Sequence, residues 1–249
     1  MKNKLIIAFI FLLMVVLVYC GYKVYLLDKY KVKIKDDALV ILNNPINTIE
    51  IETRPNNDEQ LKFKNIIFNK FKDNFEFDEE ISSPFGETYH VYYLNREDLS
   101  TYIALFKVGK TYSIYDLFTV DDVSKYDIDY KNIDRKKLLE KYDLANDTDI
   151  INYIISHYKD KLTIFSSQEK IEMNYLIKTI ANIIFPNNIT IISGDVMGYM
   201  YEIEENIDYL VYLNHNNENY FLGFTNNKDN NYFNLDSIKE FISTVKFES

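Results

Sequence analysis

The chain has 249 residues, of which 47% are hydrophobic, and a formal net charge of −10 at pH 7. Residues 1–35 contain seven lysines and one acid, so the other 214 residues carry 21 basic and 37 acidic groups, a net charge of −16. Such an acidic body argues against nucleic-acid binding, which needs Lys and Arg to displace counterions, and favours cationic partners or solubility. The single cysteine, Cys20, excludes an internal disulfide and a cysteine-based zinc site.

An apolar segment near the start of the chain predicts a membrane anchor. It extends from Leu5 to Leu27, is interrupted only by Lys23, and follows a short tail with two lysines. A helix of this length, at about 1.5 Å per residue, spans the roughly 30 Å hydrocarbon core of a bilayer. We therefore predict that residues 1–28 form a short tail and a transmembrane signal anchor, which contacts membrane lipid through residues 5–27.

The end of this segment bears on processing of the chain. Val18, Tyr19 and Cys20 precede Gly21 in place of the small residues of a signal-peptidase site, so we expect the anchor to be retained. The stretch Leu17-Val18-Tyr19-Cys20 resembles a bacterial lipobox, but Tyr19 stands where that motif has Gly, Ala or Ser. Lipidation of Cys20 is therefore the less favoured alternative to an unmodified cysteine in an apolar helix.

The lysines around the anchor give two opposed indications of its orientation. More of them lie at or beyond its end than before it, at Lys23, Lys29, Lys31, Lys33 and Lys35. By the positive-inside rule this count favours a cytoplasmic body. A short charged tail followed at once by a long apolar run is instead typical of an exported, uncleaved signal anchor. We follow the second indication and predict a single-pass protein with its body outside the cytoplasm, in which residues 29–45 form a basic juxtamembrane segment near lipid headgroups.

Residues 46–147 are predicted to form a first α+β module. Alternation of apolar and polar residues predicts a strand over 46–52, and Pro55–Asp58 then caps a helix over 59–72. The apolar face of that helix would consist of Phe63, Ile66, Ile67 and Phe71. The elements predicted to follow are strands over 88–94, 101–108 and 111–118, with a hairpin at Gly109-Lys110, an acidic connector from Asp121 to Asp134, and a helix over 135–142.

Residues 148–249 are predicted to form a second module of the same kind. A helix over 148–158 precedes a longer one, which a capping box at Ser166-x-x-Glu169 opens and Pro186 ends. Four strands then form an antiparallel meander, over residues 189–193, 198–204, 207–214 and 219–225. A final helix begins at Ser237-x-x-Glu240 and places four apolar residues on one face, Ile238, Phe241, Ile242 and Val245.

The two modules align at an offset of 108 residues, which indicates either a tandem duplication or shared amphipathic patterning. Matched pairs include Gly86 with Gly194, Tyr93 with Tyr201 and Tyr112 with Tyr220. The modules would form either two separate helix-plus-meander units or one continuous sheet. In each case the predicted fold class is α+β, an N-terminal transmembrane helix followed by antiparallel meanders packed with helices.

Catalytic and cofactor motifs are missing from the sequence. It contains no glycine-rich phosphate loop, no Gly-x-Ser-x-Gly elbow and no His-Glu-x-x-His helix. The scattered histidines are interpreted as packing or surface residues, His90, His157 and His215. The acidic connector fails as an EF-hand because three required positions differ, Lys131, Asn132 and Leu138. We therefore predict no catalytic residue, cofactor or metal site, although a site assembled from distant positions stays an alternative.

One surface of the predicted meander is a candidate partner-binding site. If Tyr209, Val211 and Leu213 face the core, the opposite face presents Met200, Leu210, Tyr212 and Phe221. The first alternative is that helices cover these side chains, the 166–184 helix on one face of the sheet and the terminal helix on part of the other. The second is an aromatic-rich binding surface beside acidic groups.

The leading functional interpretation is a membrane-anchored binding or protein-interaction module. An immunity protein that guards the outer membrane face against a toxin would be one concrete version. The alternatives are a cell-envelope hydrolase or transferase with an unrecognised site and a structural subunit of a membrane complex. The sequence leaves the oligomeric state open.

Overall fold

The computed structural model describes residues 2–55, 60–63, 65–69, 76–82, 88–95, 98–108, 114–119, 129–185, 188–203, 208–215, 218–227 and 232–248. The chain is α+β, and its largest component is a mostly antiparallel sheet of eight strands. Helices cover one face of this sheet, whereas a three-stranded sheet and a C-terminal helix pack against the other. The layers enclose two hydrophobic cores, one on each face of the large sheet.

The described helices are α1 (Lys2–Lys29), α2 (Asp36–Asn43), α3 (Ile114–Thr119), α4 (Arg135–Lys141), α5 (Asp147–His157), α6 (Gln168–Ile184) and α7 (Leu235–Ile242). The described strands are β1 (Asn47–Ile51), β2 (Gln60–Phe63), β3 (Ile66–Asn69), β4 (Glu76–Ser82), β5 (Thr88–Asn95), β6 (Asp98–Val108), β7 (Asn188–Gly194), β8 (Met197–Ile203), β9 (Asp208–His215), β10 (Glu218–Thr225) and β11 (Lys246–Phe247).

The strand order in the large sheet is β1-β7-β8-β9-β10-β6-β5-β4, and the small sheet has the order β11-β3-β2. β1 pairs with β7 in parallel, whereas the other neighbouring strands of the large sheet are antiparallel. Because β10 pairs with β6, the sheet is continuous across the two predicted modules. This is one of the two arrangements expected from the sequence, and a duplication of the halves stays a prediction.

The predicted helix over 59–72 is wrong, because its described residues form the β2–β3 hairpin. In β3, Ile66 and Phe68 are buried and Ile67 is only half-buried, which is the period of two that a strand imposes. Aromatic and β-branched residues at this spacing fit a helical stripe and a strand equally well. Residues 66–69 form a strand because they pair with β11 and are buried against the large sheet. Phe71 lies outside the described residues.

The predicted strand over 111–118 is also wrong, because residues 114–119 form α3. The Asp147 carboxylate accepts hydrogen bonds from the backbone N–H groups of Ile114 and Tyr115, at 3.1 and 2.7 Å. The carboxylate that accepts from the first N–H groups of α3 lies 33 positions from Ile114 and 32 from Tyr115. The sequence around residue 114 therefore carries no local signal for the start of a helix. Residues 111–113 and the Gly109-Lys110 turn lie outside the described residues.

Strand β4 was not predicted from the sequence. It is an acidic edge strand, and its pairing with β5 shifts register between Phe77 and Glu79, which breaks the apolar alternation that identifies a strand. The other predicted strands and helices agree with the structure to within about three residues. Two caps differ from the prediction: Ser167 caps α6, and Asn234 caps α7 in a capping box with Ser237.

Candidate functional site

The part of α1 from Phe9 to Val18 is apolar and lies outside the body. Each side chain from Phe9 to Val18 is between 47% and 73% exposed. Among the helices that the structure describes, only this one, over Phe9–Lys29, is long and apolar enough to cross a membrane. Only 11% of its apolar stretch is buried, whereas a core helix of a soluble protein is mostly buried. The segment therefore has the all-round apolar surface that a bilayer would accommodate.

The last two turns of α1 are docked on the body. Lys23, Leu26 and Tyr30 are all buried, at 6%, 3% and 4% exposure. The Lys23 Nζ donates a 2.6 Å hydrogen bond to the carbonyl oxygen of Ser166, and the Tyr22 hydroxyl donates to Gln168 Oε1 at 3.3 Å. The single lysine in the apolar segment thus marks the point at which the helix enters the body.

Lys131 closes the C-terminal end of α1. Its Nζ donates to the carbonyl oxygen of Lys29 at 2.6 Å and lies 4.7 Å from the ring centroid of Tyr175. A cation at this position interacts favourably with the unpaired carbonyls of a helix C-terminus. Lys131 has a φ of 49°, so the turn that carries it holds a left-handed backbone conformation.

The chain after α1 continues along α6 in the same direction. Tyr22 contacts Gln168, Tyr30 packs its ring 5.7 Å from that of Tyr175, and the Lys35 N–H donates to Asn182 Oδ1 at 2.7 Å. Successive contacts therefore advance along both segments together. The N-terminus of α6 and the turn that precedes it therefore lie closest to the apolar segment. Asn182, near the C-terminal end of α6, lies about 20 Å further from that segment.

The predicted partner surface is only partly brought together. Leu210, Tyr212 and Phe221 share one face of the sheet and are half-buried, with the Tyr212 and Phe221 rings 4.8 Å apart. Met200 lies on the other face, because it pairs with Val211, and it is 3% exposed in the core beneath the small sheet. Assigning Met200 to this surface was therefore wrong, and the role of the other three residues stays a prediction.

Helices cover the neighbouring part of the same face. Tyr199 is 2% exposed and stacks on Tyr212 with ring centroids 4.7 Å apart. Helices α5 and α6 contribute to the core that buries Tyr199, and α7 packs on the opposite face. The expected helical cover is thus present over Tyr199. Tyr212 is only partly buried and packs at the edge of the core beneath the helices.

A buried carboxylate links the helices to the sheet. Asp147 is 3% exposed and accepts hydrogen bonds from the N–H groups that begin α3 and, at 3.0 Å, from the Tyr199 hydroxyl. Burial, followed by the nearby Asp147 carboxylate, raises the pKa of Tyr199 well above its usual value, so this hydroxyl stays protonated and donating. The arrangement is a junction between α3, α5 and β8.

An open groove of about 730 Å³ lies between the end of β1 and α7. Its charged lining residues are Glu50, Glu52, Arg54, Asp236, Lys239 and Glu240, so acids outnumber bases. Asp195 Oδ2 accepts hydrogen bonds from the Thr53 N–H and hydroxyl, at 2.8 and 3.0 Å. These bonds lower the pKa of Asp195, the backbone one having the larger effect. The two hydrogen bonds therefore connect Thr53, in the groove wall, to the turn between β7 and β8.

A second cleft, of about 510 Å³, lies between α2, the start of β7 and the start of α7. Its polar lining consists mainly of asparagines, Asn44, Asn47, Asn188 and Asn234, with Glu202 and Asp236. Such amides can donate and accept hydrogen bonds.

The three histidines each pack against an aromatic ring, as the packing interpretation expects. His90 lies 4.8 Å from the Phe63 ring, His157 stacks on Tyr153 at 4.1 Å, and His215 stacks on Phe247 at 4.2 Å. In the part of the chain that the structure describes, no group of three or more His, Cys, Asp or Glu side chains could hold a metal ion. Most of the acidic connector, residues 121–128, lies outside that part.

The chain was also compared with known proteins. No family model matches it, and neither a search of curated proteins nor a search of solved structures found a match.

Proposed function

We propose that this chain is a single-pass membrane protein whose acidic body is a binding module held directly against the outer membrane face. The observation that carries the proposal is the continuity of α1, whose exposed apolar part runs into a docked end without a linker. From Leu5 to Tyr22, the apolar part of α1 before the docked end rises about 26 Å, close to the roughly 30 Å hydrocarbon core of a bilayer. The membrane surface would then lie near Tyr22.

Docking of α1 fixes the orientation of the body relative to the anchor helix. A flexible linker would let the body rotate and move away from the membrane, whereas buried Lys23, Leu26 and Tyr30 hold it at the helix end. A tethered binding module benefits from this arrangement, because its binding surfaces keep a constant position relative to the end of the anchor helix.

The groove beside β1 is the surface that we favour for a partner. Its acidic lining and the net negative charge of the body suit a cationic segment. Charge reversal by Glu52→Lys should weaken capture of a partner by photo-crosslinking, whereas Asp36→Lys, the same change at an exposed residue of α2, should leave it intact. Equal capture by both variants would remove the groove from the proposal.

Orientation is tested by protease shaving of intact cells that express the full chain with a C-terminal epitope. We expect the epitope to be lost from intact cells, because the body faces outward. Protection of the epitope until the cells are lysed would place the body in the cytoplasm and contradict this part of the proposal.

A further inference from the structure

A phenylalanine projects from the body beside the docked end of α1. Phe165 is 84% exposed, more than any other large apolar side chain among the described residues, including those of the apolar segment. A single exposed apolar side chain is ordinary on a protein surface, so its position and rigidity decide whether it has a role.

The turn that carries Phe165 is closed by three hydrogen bonds. The Ser166 N–H donates to the Thr163 carbonyl oxygen at 3.0 Å, and the Thr163 N–H donates to Ser166 Oγ at 3.0 Å. The Phe165 N–H also donates to Thr163 Oγ1 at 3.2 Å. The ring is therefore held out from the body by a hydrogen-bonded turn.

The same turn is fixed to the anchor at the level where α1 leaves the body. The Ser166 carbonyl oxygen accepts the hydrogen bond from Lys23, and the next turn of chain bonds Tyr22 through Gln168. Because α1 and α6 run in the same direction, the turn before α6 lies closer to the apolar segment than α6 itself does. Tyr22 lies at this level on α1 and Tyr19 about one turn nearer the N-terminus, and each is 48% exposed.

We propose that Phe165 inserts into the interfacial layer of the bilayer and forms a second membrane contact beside α1. The inference rests on the proposed function, since it needs α1 in a membrane. Aromatic side chains favour the headgroup level, and Tyr19 and Tyr22 supply the matching aromatic residues on the anchor. Two points of contact would prevent the body from tilting about the single helix.

The charges near the turn are mixed, and the acids Asp160 and Glu169 are each paired with a lysine. Lys161 is exposed just before it, and Lys170, just after it, is 3.3 Å from Asp160 in an ion pair. Cationic side chains at this level can contact anionic headgroups. Lys33 and Lys35, at the other end of α6, lie about 20 Å further from the apolar segment, more than two Debye lengths at physiological salt. The positions of these two lysines therefore do not support the expected contact of the 29–45 segment with headgroups.

The chain contains no tryptophan, so one introduced tryptophan reports a single position. We would reconstitute full-length Phe165→Trp in phosphatidylcholine–phosphatidylglycerol vesicles, with and without acyl chains brominated close to the glycerol. Phe11→Trp serves as the control for the anchor. Leu235→Trp serves as the control for the remote side of the body. Leu235 is 37% exposed and lines the same cleft as Asn188, which follows the C-terminal end of α6.

The expected result is emission from Phe165→Trp that is blue-shifted and at least about twofold weaker in brominated vesicles, with no quenching of Leu235→Trp. Phe11→Trp should be quenched more strongly by bromines placed deeper in the chains. If Phe11→Trp is quenched and Phe165→Trp is not, the second contact is refuted and the anchor stands. If Phe11→Trp is not quenched, the proposed anchor fails together with this inference.

A blue shift of Phe165→Trp without bromine quenching would indicate contact with protein, such as a second copy of the chain. That outcome would also overturn the proposal.

Discussion

Replacing Asp147 by alanine should strongly destabilise the body, because this carboxylate is the acceptor at the junction of α3, α5 and β8. Among the described contacts, Asp147→Ala removes the acceptor of three hydrogen bonds, those donated by the N–H groups of Ile114 and Tyr115 and by the Tyr199 hydroxyl. A stranded buried donor costs about 1–3 kcal/mol, and the Tyr115 N–H, whose contact is only part-buried, should contribute less than the two buried donors. Removal of the carboxylate also relieves its own desolvation.

The net loss that we expect is about 3 kcal/mol of unfolding free energy, or a fall in Tm of roughly 6–12 °C for a body of this size. Urea and thermal unfolding of the full chain in detergent, followed by circular dichroism, measures both quantities. Asp149→Ala is the matched control on the same turn of α5, because Asp149 accepts only an exposed Ala145 N–H in the described contacts, and it should cost under about 1 kcal/mol. Tyr199→Phe should fall between the two. Equal stability of Asp147→Ala and Asp149→Ala would refute this account of the junction.

Two further predictions concern the sheet and its edge. Gly198→Ala places a Cβ 1.9 Å from the Tyr212 carbonyl oxygen and should cost about 3 kcal/mol or more in urea unfolding, whereas Gly21→Ala, with nothing within 4 Å, should leave the stability of the body unchanged. The Asp195 carboxyl, whose folded-state pKa is lowered, contributes stability above its unfolded pKa and loses it as pH falls through the folded pKa. Thr53→Val removes one of its donors and should raise the pKa of Asp195 in an NMR titration, and an unchanged pKa would contradict the role of that hydroxyl.

The elements that the sequence predicted well are those whose signal is local. The β8–β10 meander shows apolar alternation interrupted by short polar turns, and α7 repeats apolar residues every three or four positions. The β2–β3 hairpin and α3 were missed because tertiary contacts decide them. Phe63 and Ile66 have a spacing that fits either structure, and the Asp147 acceptor for α3 lies far along the chain.

The face on which Met200 lies could have been predicted from the sequence. A two-residue turn at Glu205-Asn206 already implies that Met200 pairs with Val211, as the structure shows, so the two share a face. Applying that register would have removed Met200 from the predicted surface. The docked end of α1 had one sequence signal, the lone Lys23 in an apolar run, but its acceptor at Ser166 lies 143 positions away and could not be identified.

Retention of the apolar helix in a membrane is the central claim, and alkaline extraction tests it most directly. Membranes from cells that express the full chain would be washed with carbonate, and the intact mass of the protein in pellet and supernatant would be measured. We predict that the protein stays in the pellet with residues 5–27 present. Recovery in the supernatant of a chain that lacks these residues would contradict the account.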